Sequence, residues 1–384
     1  MNERTLLPGE EPLDAELVFA ASGCAFAAQR GLERELRTAG ALSPRVAGPL
    51  ESHATDGHFG WGKWFASLRD RHDWAGSPSQ RRVSAAKYLV RAIGMAVSHH
   101  RFLTFLQDHP LMRAAVARDP RLQERHLHRF VNRHWHRPTR LRSIESHYRS
   151  MLKRMPATLF EAVYVRGRAT LGELALKDDS RLQLHLRPSI AMGCEGELGL
   201  ELTDTNGSML YRLVFTVIDE VRPTLTIGCI QGPDGEDGRE RVRVLTRQMH
   251  GMRPKQLMLE LAYAFAEAYG IKYVLAVGNE AHPLHKRRRF LADYDAFWLE
   301  QGGVALNGGW YVLPETLHHR SEADVPSKHR SSYRKRGELR AQAAQLISQA
   351  LIQPARWPER ERVEQGVELP RVLPAMLEGA RWTS

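Results

Sequence analysis

The chain has 384 residues, enough for one large domain or two ordinary ones, and its apolar fraction of 42% supports a hydrophobic core. No stretch of about 18 uncharged apolar residues occurs, which argues against a transmembrane helix. The 55 Lys and Arg residues outnumber the 44 Asp and Glu residues, and the net charge of +11 favours anionic partners without identifying them.

The first 80 residues are weakly patterned, and the segment GPLESHATDGHFGWGKW at 48–64 predicts a loop. The N-terminal sequence MNERTLLPGEEPLDAELVF is acidic and lacks the basic and apolar regions of a secretory signal, so we expect a cytoplasmic protein. Three scattered cysteines, Cys24, Cys194 and Cys229, form no CxxC motif. We expect them to be small buried residues rather than nucleophiles.

Apolar residues at helical spacing predict a basic helical region over residues 81–160, with helix ends at His109-Pro110 and Asp119-Pro120. Five histidines cluster in this region: His126, His128, His134, His136 and His147. Two metal ligands on a helix must share a face, whereas the residues of a His-x-His pair point about 200° apart. The sequence therefore predicts no metal site.

After about Phe160 the apolar pattern alternates and predicts antiparallel strands. The strands are RLQLHLRP, ELGLELTD, LYRLVFTVI and TLTIGCIQG, with a hairpin turn at Asn206-Gly207. An apolar helix at 254–270 and an apolar strand at 271–278 then predict a β-α-β unit with parallel strands. The helical stretch YDAFWLEQGG and a last strand, GWYVLP, follow.

The predicted fold is therefore α+β, with a helical N-terminal region, a mixed β-sheet core and flanking helices. The predicted segments are a weakly patterned N-terminal segment at 1–80, the basic helical region at 81–160, an α/β core at 161–320, and a basic helix with a loosely ordered tail at 321–384.

The turn before the helix at 254–270 has the features of an anion site. Pro254 suits the first helical position, and Gly251 allows close approach of the backbone. Free N–H groups and the helix dipole attract anions at such an end, where Arg253 and Lys255 add full charges. Asn279 follows the next strand, at the edge where α/β units bind ligands. The alternative is that Arg253 and Lys255 are solvated and Gly251 only serves a turn.

The order of elements over roughly residues 180–315 resembles the acyl-CoA N-acyltransferase (GNAT) fold. The pyrophosphate loop of that family reads Gln/Arg-x-x-Gly-x-Gly/Ala, and here Gln248 and Gly251 match while Arg253 replaces the last small residue. The resemblance implies a GNAT-like core and an acyl donor linked to CoA or to an acyl carrier protein. The donor-binding positions that we predict are Gln231, Gln248, Gly251, Arg253, Lys255 and Asn279.

A second resemblance runs over roughly residues 85–340. Its motifs include SHYRSM at 146–151, EGELGLEL at 195–202, IGCIQG at 227–232 and LTRQMHGMRPKQLML at 245–259. In this order they look like the VirK/YbjX family of Gram-negative bacteria. That resemblance implies a cytoplasmic protein linked to virulence, the cell envelope and resistance to antimicrobial peptides, and it supplies no catalytic residues.

Two residues are candidate proton carriers for acyl transfer. His250 lies next to the anion turn and belongs to the residue type that titrates near neutrality, and Glu195 precedes a strand. Tyr294, Phe297 and Trp298 share one helical face and form either core or an apolar slot for an acyl chain. No hydrolase elbow and no Walker or Rossmann glycine pattern occurs.

A basic patch surrounds Tyr333: Lys328, Arg330, Arg334, Lys335 and Arg336. It is either a solvated surface or a contact for a phosphate or for the anionic inner membrane. The sequence thus favours an acyltransferase that uses a phosphorylated donor on an envelope-related or peptide substrate. The alternative is a binding protein for anionic lipid or for a secreted or outer-membrane client. Nucleic acid is not an expected partner, because only the net charge points to it.

Overall fold

A computed structural model describes residues 60–189, 193–220, 222–233, 237–285 and 293–352. The predicted N-terminal segment up to residue 59 and the tail from residue 353 lie outside the described residues. None of the described helices has the length and apolar character needed to cross a membrane.

Helices dominate the described chain up to residue 165, as predicted. The α-helices are α1 (Trp61–Ala66), α2 (Pro78–Ile93), α3 (Ala96–Asp108), α4 (Pro110–Arg118), α5 (Arg137–Arg154) and α6 (Ala157–Phe160). Ser77 begins α2 with a capping box, because its hydroxyl accepts from the Gln80 N–H and its own N–H donates to the Gln80 side chain. Helix α1 lies where the sequence predicted a loop, and burial of Trp64 against His99 stabilises it.

An eight-stranded mixed sheet follows, in the order β1-β2-β3-β4-β5-β6-β8-β7. The strands are β1 (Ala169–Ala175), β2 (Arg181–Pro188), β3 (Leu198–Thr203), β4 (Met209–Ile218), β5 (Thr224–Gln231), β6 (Tyr273–Val277), β7 (Val304–Leu306) and β8 (Trp310–Leu313). Only β5 and β6 pair in parallel. This arrangement confirms the predicted meander, the hairpin at Asn206-Gly207 and the β-α-β unit.

Four further helices accompany the sheet: α7 (Gly238–Gln248), α8 (Pro254–Ala268), α9 (Tyr294–Glu300) and α10 (Ser327–Ile352). Helix α8 begins at Pro254, as predicted, and is buried along most of its length. It packs on the apolar face of the sheet, where the rings of Phe265 and Phe215 lie 4.8 Å apart. The described residues therefore form an α+β fold in which the ends of β5 and β6 meet the starts of α8 and α9.

Candidate active site

The parallel strands β5 and β6 separate partway along β5. They pair only over Thr224–Ile227 of β5, while β5 continues beside β4 as far as Gln231. The register with β4 shifts at Gly228, which is a β-bulge. Bulges bend a strand and re-aim its neighbours, so β5 and β6 diverge beyond this point.

The segment that carries Glu195 crosses β5 at this bulge. A Cβ at position 228 would overlap the backbone carbonyl of Glu195, so only glycine fits there. Backbone hydrogen bonds fix the segment on both sides, from Val131 N–H to the Cys194 carbonyl and from Glu197 N–H to the Phe215 carbonyl. The predicted candidate Glu195 is therefore held at the point where β5 and β6 diverge.

Glu195 is paired with a histidine that the sequence did not single out. Its Oε1 lies 3.3 Å from Nε2 of His282. The Leu284 N–H donates to the other ring nitrogen, Nδ1, which leaves Nε2 facing Glu195. The His282 side chain is 1% exposed and that of Glu195 is 25% exposed. A carboxylate beside a buried imidazole thus remains reachable from solvent.

Tyr294 and Cys229 complete the cluster. The Tyr294 hydroxyl donates to the Ile230 carbonyl at 3.3 Å, and its ring centroid lies 5.4 Å from that of His282. Burial raises the pKa of Tyr294 well above its usual value, and Cys229 and Glu195 raise it further. Burial likewise raises the pKa of the Cys229 thiol, with Glu195 adding to the effect. Both groups are therefore protonated at neutral pH, and Cys229 is not a thiolate nucleophile.

Aromatic side chains of α9 fill the gap between the two strand ends. Trp298 Nε1 donates to the Val277 carbonyl of β6 at 2.9 Å, as Tyr294 does to β5. Their rings stack 6.0 Å apart, and Phe297 is also buried. Tyr294, Phe297 and Trp298 were predicted to form either core or an apolar slot for an acyl chain. In the structure all three are packed in the core.

Asn279 caps the start of α9 with its side chain. Its Oδ1 accepts from the Tyr294 N–H at 2.7 Å, and its Nδ2 donates to Asp293 at 3.0 Å. Asp293 in turn accepts from the Ala296 N–H, an N-cap bond. Asn279 thus positions Tyr294.

The stretch from Gln248 to Gly251 ends α7 with a Schellman-type cap. The Gly251 N–H donates to the Thr246 carbonyl at 2.8 Å, and His250 occupies the left-handed position with φ 55°. The Gln248 side chain donates to Asp178. His250 lies beside Lys177 and Lys335 rather than beside Glu195, and burial, followed by these two lysines, lowers its pKa.

The first turn of α8 carries the two predicted cations. Arg253 is the N-cap residue and makes an ion pair with Glu300 of α9. The Lys255 Nζ lies 5.4 Å from the Phe297 ring centroid, and burial lowers its pKa, with Arg253 contributing. Gly251 has open space around its Cα and a φ of 87°. Gln231 ends β5 opposite Arg212 and is half-buried.

Comparison with known proteins identifies the family. A family model described as "Protein of unknown function (DUF535)" matches residues 78–349. The chain belongs to the DUF535 family. Similar proteins include "Uncharacterized protein YbjX" of Escherichia coli K12, 29% identical over 67% of this chain and 81% of that protein. This similarity confirms the resemblance to the VirK/YbjX family.

Three further proteins are similar to parts of this chain. An uncharacterized protein of Haemophilus influenzae is 29% identical over 57% of this chain and 74% of its own length. "Membrane protein LapB" of Mannheimia haemolytica is 28% identical over 52% of this chain and 87% of its own length. The solved structure of a cAMP-binding acyltransferase from Mycobacterium smegmatis is 10% identical to this chain in sequence. The match covers 56% of this chain and 62% of that structure. Its TM-score of 0.24 is too low to support an argument about fold.

The predicted basic patch of this DUF535 protein lies on the first turns of α10. Arg334 pairs with Glu322 at 3.3 Å, and Lys335 pairs with Glu338 at 2.9 Å. Arg330 donates to the Val325 carbonyl at 3.0 Å. Lys328 is exposed, and the Arg336 guanidinium lies 5.5 Å from the Tyr333 ring centroid. Part of the positive charge of this patch is thus balanced locally.

Proposed function

We propose that this protein transfers an acyl group from a phosphorylated thioester donor, acyl-CoA or an acylated carrier protein, to an amine or hydroxyl of an envelope-related substrate. The observation that carries the proposal is the Glu195–His282 pair, which lies at the bulge where β5 and β6 separate. A GNAT-like core over roughly residues 180–315 accounts for this arrangement. A thioester held on the solvent-exposed side of Glu195, beside the strand ends, would have its carbonyl carbon next to a carboxylate base.

Glu195 is the general base in this proposal. It takes the proton of the acceptor as the acceptor nitrogen or oxygen bonds to the acyl carbon. His282 lies beside the carboxylate, with Nε2 3.3 Å from Oε1, and the Leu284 N–H holds its ring at Nδ1. A positioned base of this kind contributes about 10²–10⁴-fold to a rate.

Tyr294 is the proton donor to the departing sulfur. Its high pKa keeps the hydroxyl protonated until a thiolate develops beside it. During the step the hydroxyl turns from the Ile230 carbonyl to the sulfur, and the proton that Glu195 took from the acceptor then restores the hydroxyl. The carbon–sulfur bond breaks as the new bond to the acceptor forms, so no oxidant or reductant is needed.

The turn before α8 is the proposed contact for the donor phosphates. Arg253 has an exposed side chain and would exchange Glu300 for a phosphate. The α8 N-terminus has no side-chain cap hydrogen bond, and its dipole adds to the attraction. Lys255 and the open backbone at Gly251 lie on the same turn.

The proposal is tested by incubating the purified full chain with acyl-CoA of several chain lengths and a set of amines. Free thiol is measured continuously, and mass spectrometry identifies the acylated amine. We expect thiol release that depends on the amine and equals the amount of acylated product. Release at the same slow rate with and without protein, for every donor and acceptor, would contradict the proposal.

A further inference from the structure

Two neighbouring cross-strand rows of residues lie on the sheet face that carries Cys229. The paired register places Arg187, Gly199, Val214 and Cys229 in one cross-strand row. The next row contains His185, Glu201, Arg212 and Gln231. Side chains alternate between faces along a strand, so both rows point to the same side.

Two arginines converge on one carboxylate in these rows. Arg187 donates to Oε1 of Glu201 at 2.8 Å, and Arg212 donates to Oε2 at 3.1 Å. The Glu201 side chain is only 2% exposed. Two guanidinium groups and one carboxylate leave one excess positive charge at this position.

The arginines retain capacity for another acceptor. Among the described residues, the buried Nε of Arg187 has no hydrogen-bond partner. The Arg187 and Arg212 side chains are 26% and 18% exposed, so a ligand reaches them from solvent.

The arginine pair lies next to the proposed catalytic base. Arg212 and Cys229 are diagonal neighbours on β4 and β5, a relationship that places two residues about 7–8 Å apart. Glu195 raises the pKa of the Cys229 thiol, which places the carboxylate near that thiol. A small molecule can therefore contact both Arg212 and Glu195.

We propose that Arg187 and Arg212 bind an anionic group, a carboxylate or a phosphate, on the acyl acceptor. This inference rests on the proposed acyl transfer and defines its substrate class. The acceptor is a zwitterion whose anionic group docks on the two arginines while its amine meets Glu195. Neutral or purely cationic amines lack this contact and are poor substrates.

Acyl transfer to three related amines tests the inference: 4-aminobutyrate, O-phosphoethanolamine and butylamine. We expect kcat/KM for the better of the two anionic amines to exceed that for butylamine by about ten- to a hundredfold, as expected for a charge-assisted contact. If 4-aminobutyrate is the better of the two substrates, the arginines recognise a carboxylate. If O-phosphoethanolamine is better, they recognise a phosphate.

Arg212→Gln and Arg187→Gln should reduce this preference to within about threefold. Arg187→Lys and Arg212→Lys keep a positive charge beside Glu201 but lose the planar fork that binds an oxyanion. These two lysine variants should fold and still lose most of the preference. Arg181→Gln is the matched control, because Arg181 lies on the same strand, is exposed and pairs with Glu173. It should leave the preference intact.

Calorimetric titration with inorganic phosphate and with acetate provides a readout that needs no catalysis. Saturable binding of either anion to the wild type, lost in Arg212→Gln and kept in Arg181→Gln, supports the anion site even if no acyl transfer occurs. In that case the proposed function fails and the anion site stands. Equal kcat/KM for all three amines, with no anion binding, overturns the inference and means that the arginines only neutralise Glu201.

Discussion

The backbone carbonyl of Glu195 occupies the space that a side chain at Gly228 would need. Gly228 is also the bulged residue at which β5 leaves β6. One glycine thus bends the strand and admits the segment that brings Glu195 to His282. The geometry of the candidate site depends on this close approach of two backbones.

Gly228→Ala is expected to destabilise the fold and to displace Glu195. The carbonyl in the way is backbone, so it cannot move aside cheaply, and overpacking of this kind costs about 1–3 kcal/mol or more. Urea unfolding measures the loss. Gly62→Ala is the matched control, since Gly62 lies in α1 with open space around it and alanine favours helix. Equal stability of the two variants would contradict the close approach.

Tyr294→Phe should separate folding from catalysis. The variant keeps the ring that stacks on Trp298 and loses only the hydroxyl that donates to the Ile230 carbonyl. We expect a stability loss of about 1 kcal/mol and a fall in kcat of about 10–100-fold. Thermal melting and steady-state thiol release give the two values. Unchanged kcat would remove Tyr294 from the mechanism.

Arg253→Ala should weaken donor binding far more than it weakens folding. The ion pair with Glu300 joins two exposed side chains, and such pairs contribute about 0–1 kcal/mol. A phosphate contact contributes about 1.5–3 kcal/mol, so the Kd for CoA should rise at least tenfold. The control is Arg247→Ala, which removes an exposed arginine paired with Glu240. A large drop in melting temperature with unchanged CoA affinity would show that Arg253 is structural.

Acid should destabilise the protein through its buried histidines. Burial lowers the pKa of His99 to about 4 and that of His147 to about 3, with His100 and Arg125 respectively adding to the effect. Above about pH 6.5 both rings are neutral in the folded and unfolded chains. Between pH 6.5 and 4 only the unfolded chain takes up the protons, so stability falls as the pH is lowered.

Because of His99 alone, the free energy of unfolding falls by about 3 kcal/mol between pH 6.5 and pH 4. Urea unfolding at a series of pH values measures the slope. His147→Asn keeps an acceptor for the Val217 N–H and should flatten the slope, whereas His318→Asn, at an exposed position, should not. Identical slopes in all three proteins would contradict a buried neutral His147.

The sequence predicted those parts of the fold that depend on local patterns. Alternation predicted β2 to β5 at their observed positions, the apolar run at 271–278 and the segment GWYVLP predicted β6 and β8, and Pro254 marked the start of α8. Helix α1 was missed because a single buried residue, Trp64, outweighs a loop-like composition. Strand β1 was missed because its Gly172 and Glu173 dilute the apolar alternation.

The candidate site was only partly predictable, because its residues meet through the sheet. Glu195 and Tyr294 were identified from the chain, but nothing near His282 indicates that it lies against Glu195. The relation of Arg187, Glu201 and Arg212 follows from strand register, and a shift of one residue would place them on opposite faces. The spacing of sequence motifs does not reveal the register of the strands.

The most direct test of the account is the rate of acyl transfer by Glu195→Gln. Glutamine keeps the size of the side chain and places an amide beside His282 Nε2, but it cannot take a proton. Thiol release from acyl-CoA is measured with wild type and variant at pH 7.5, with 4-aminobutyrate as acceptor and with equal melting temperatures confirmed. We predict that kcat falls by about 10²–10⁴-fold in the variant. Equal kcat in the two proteins would contradict the role of Glu195 as the base.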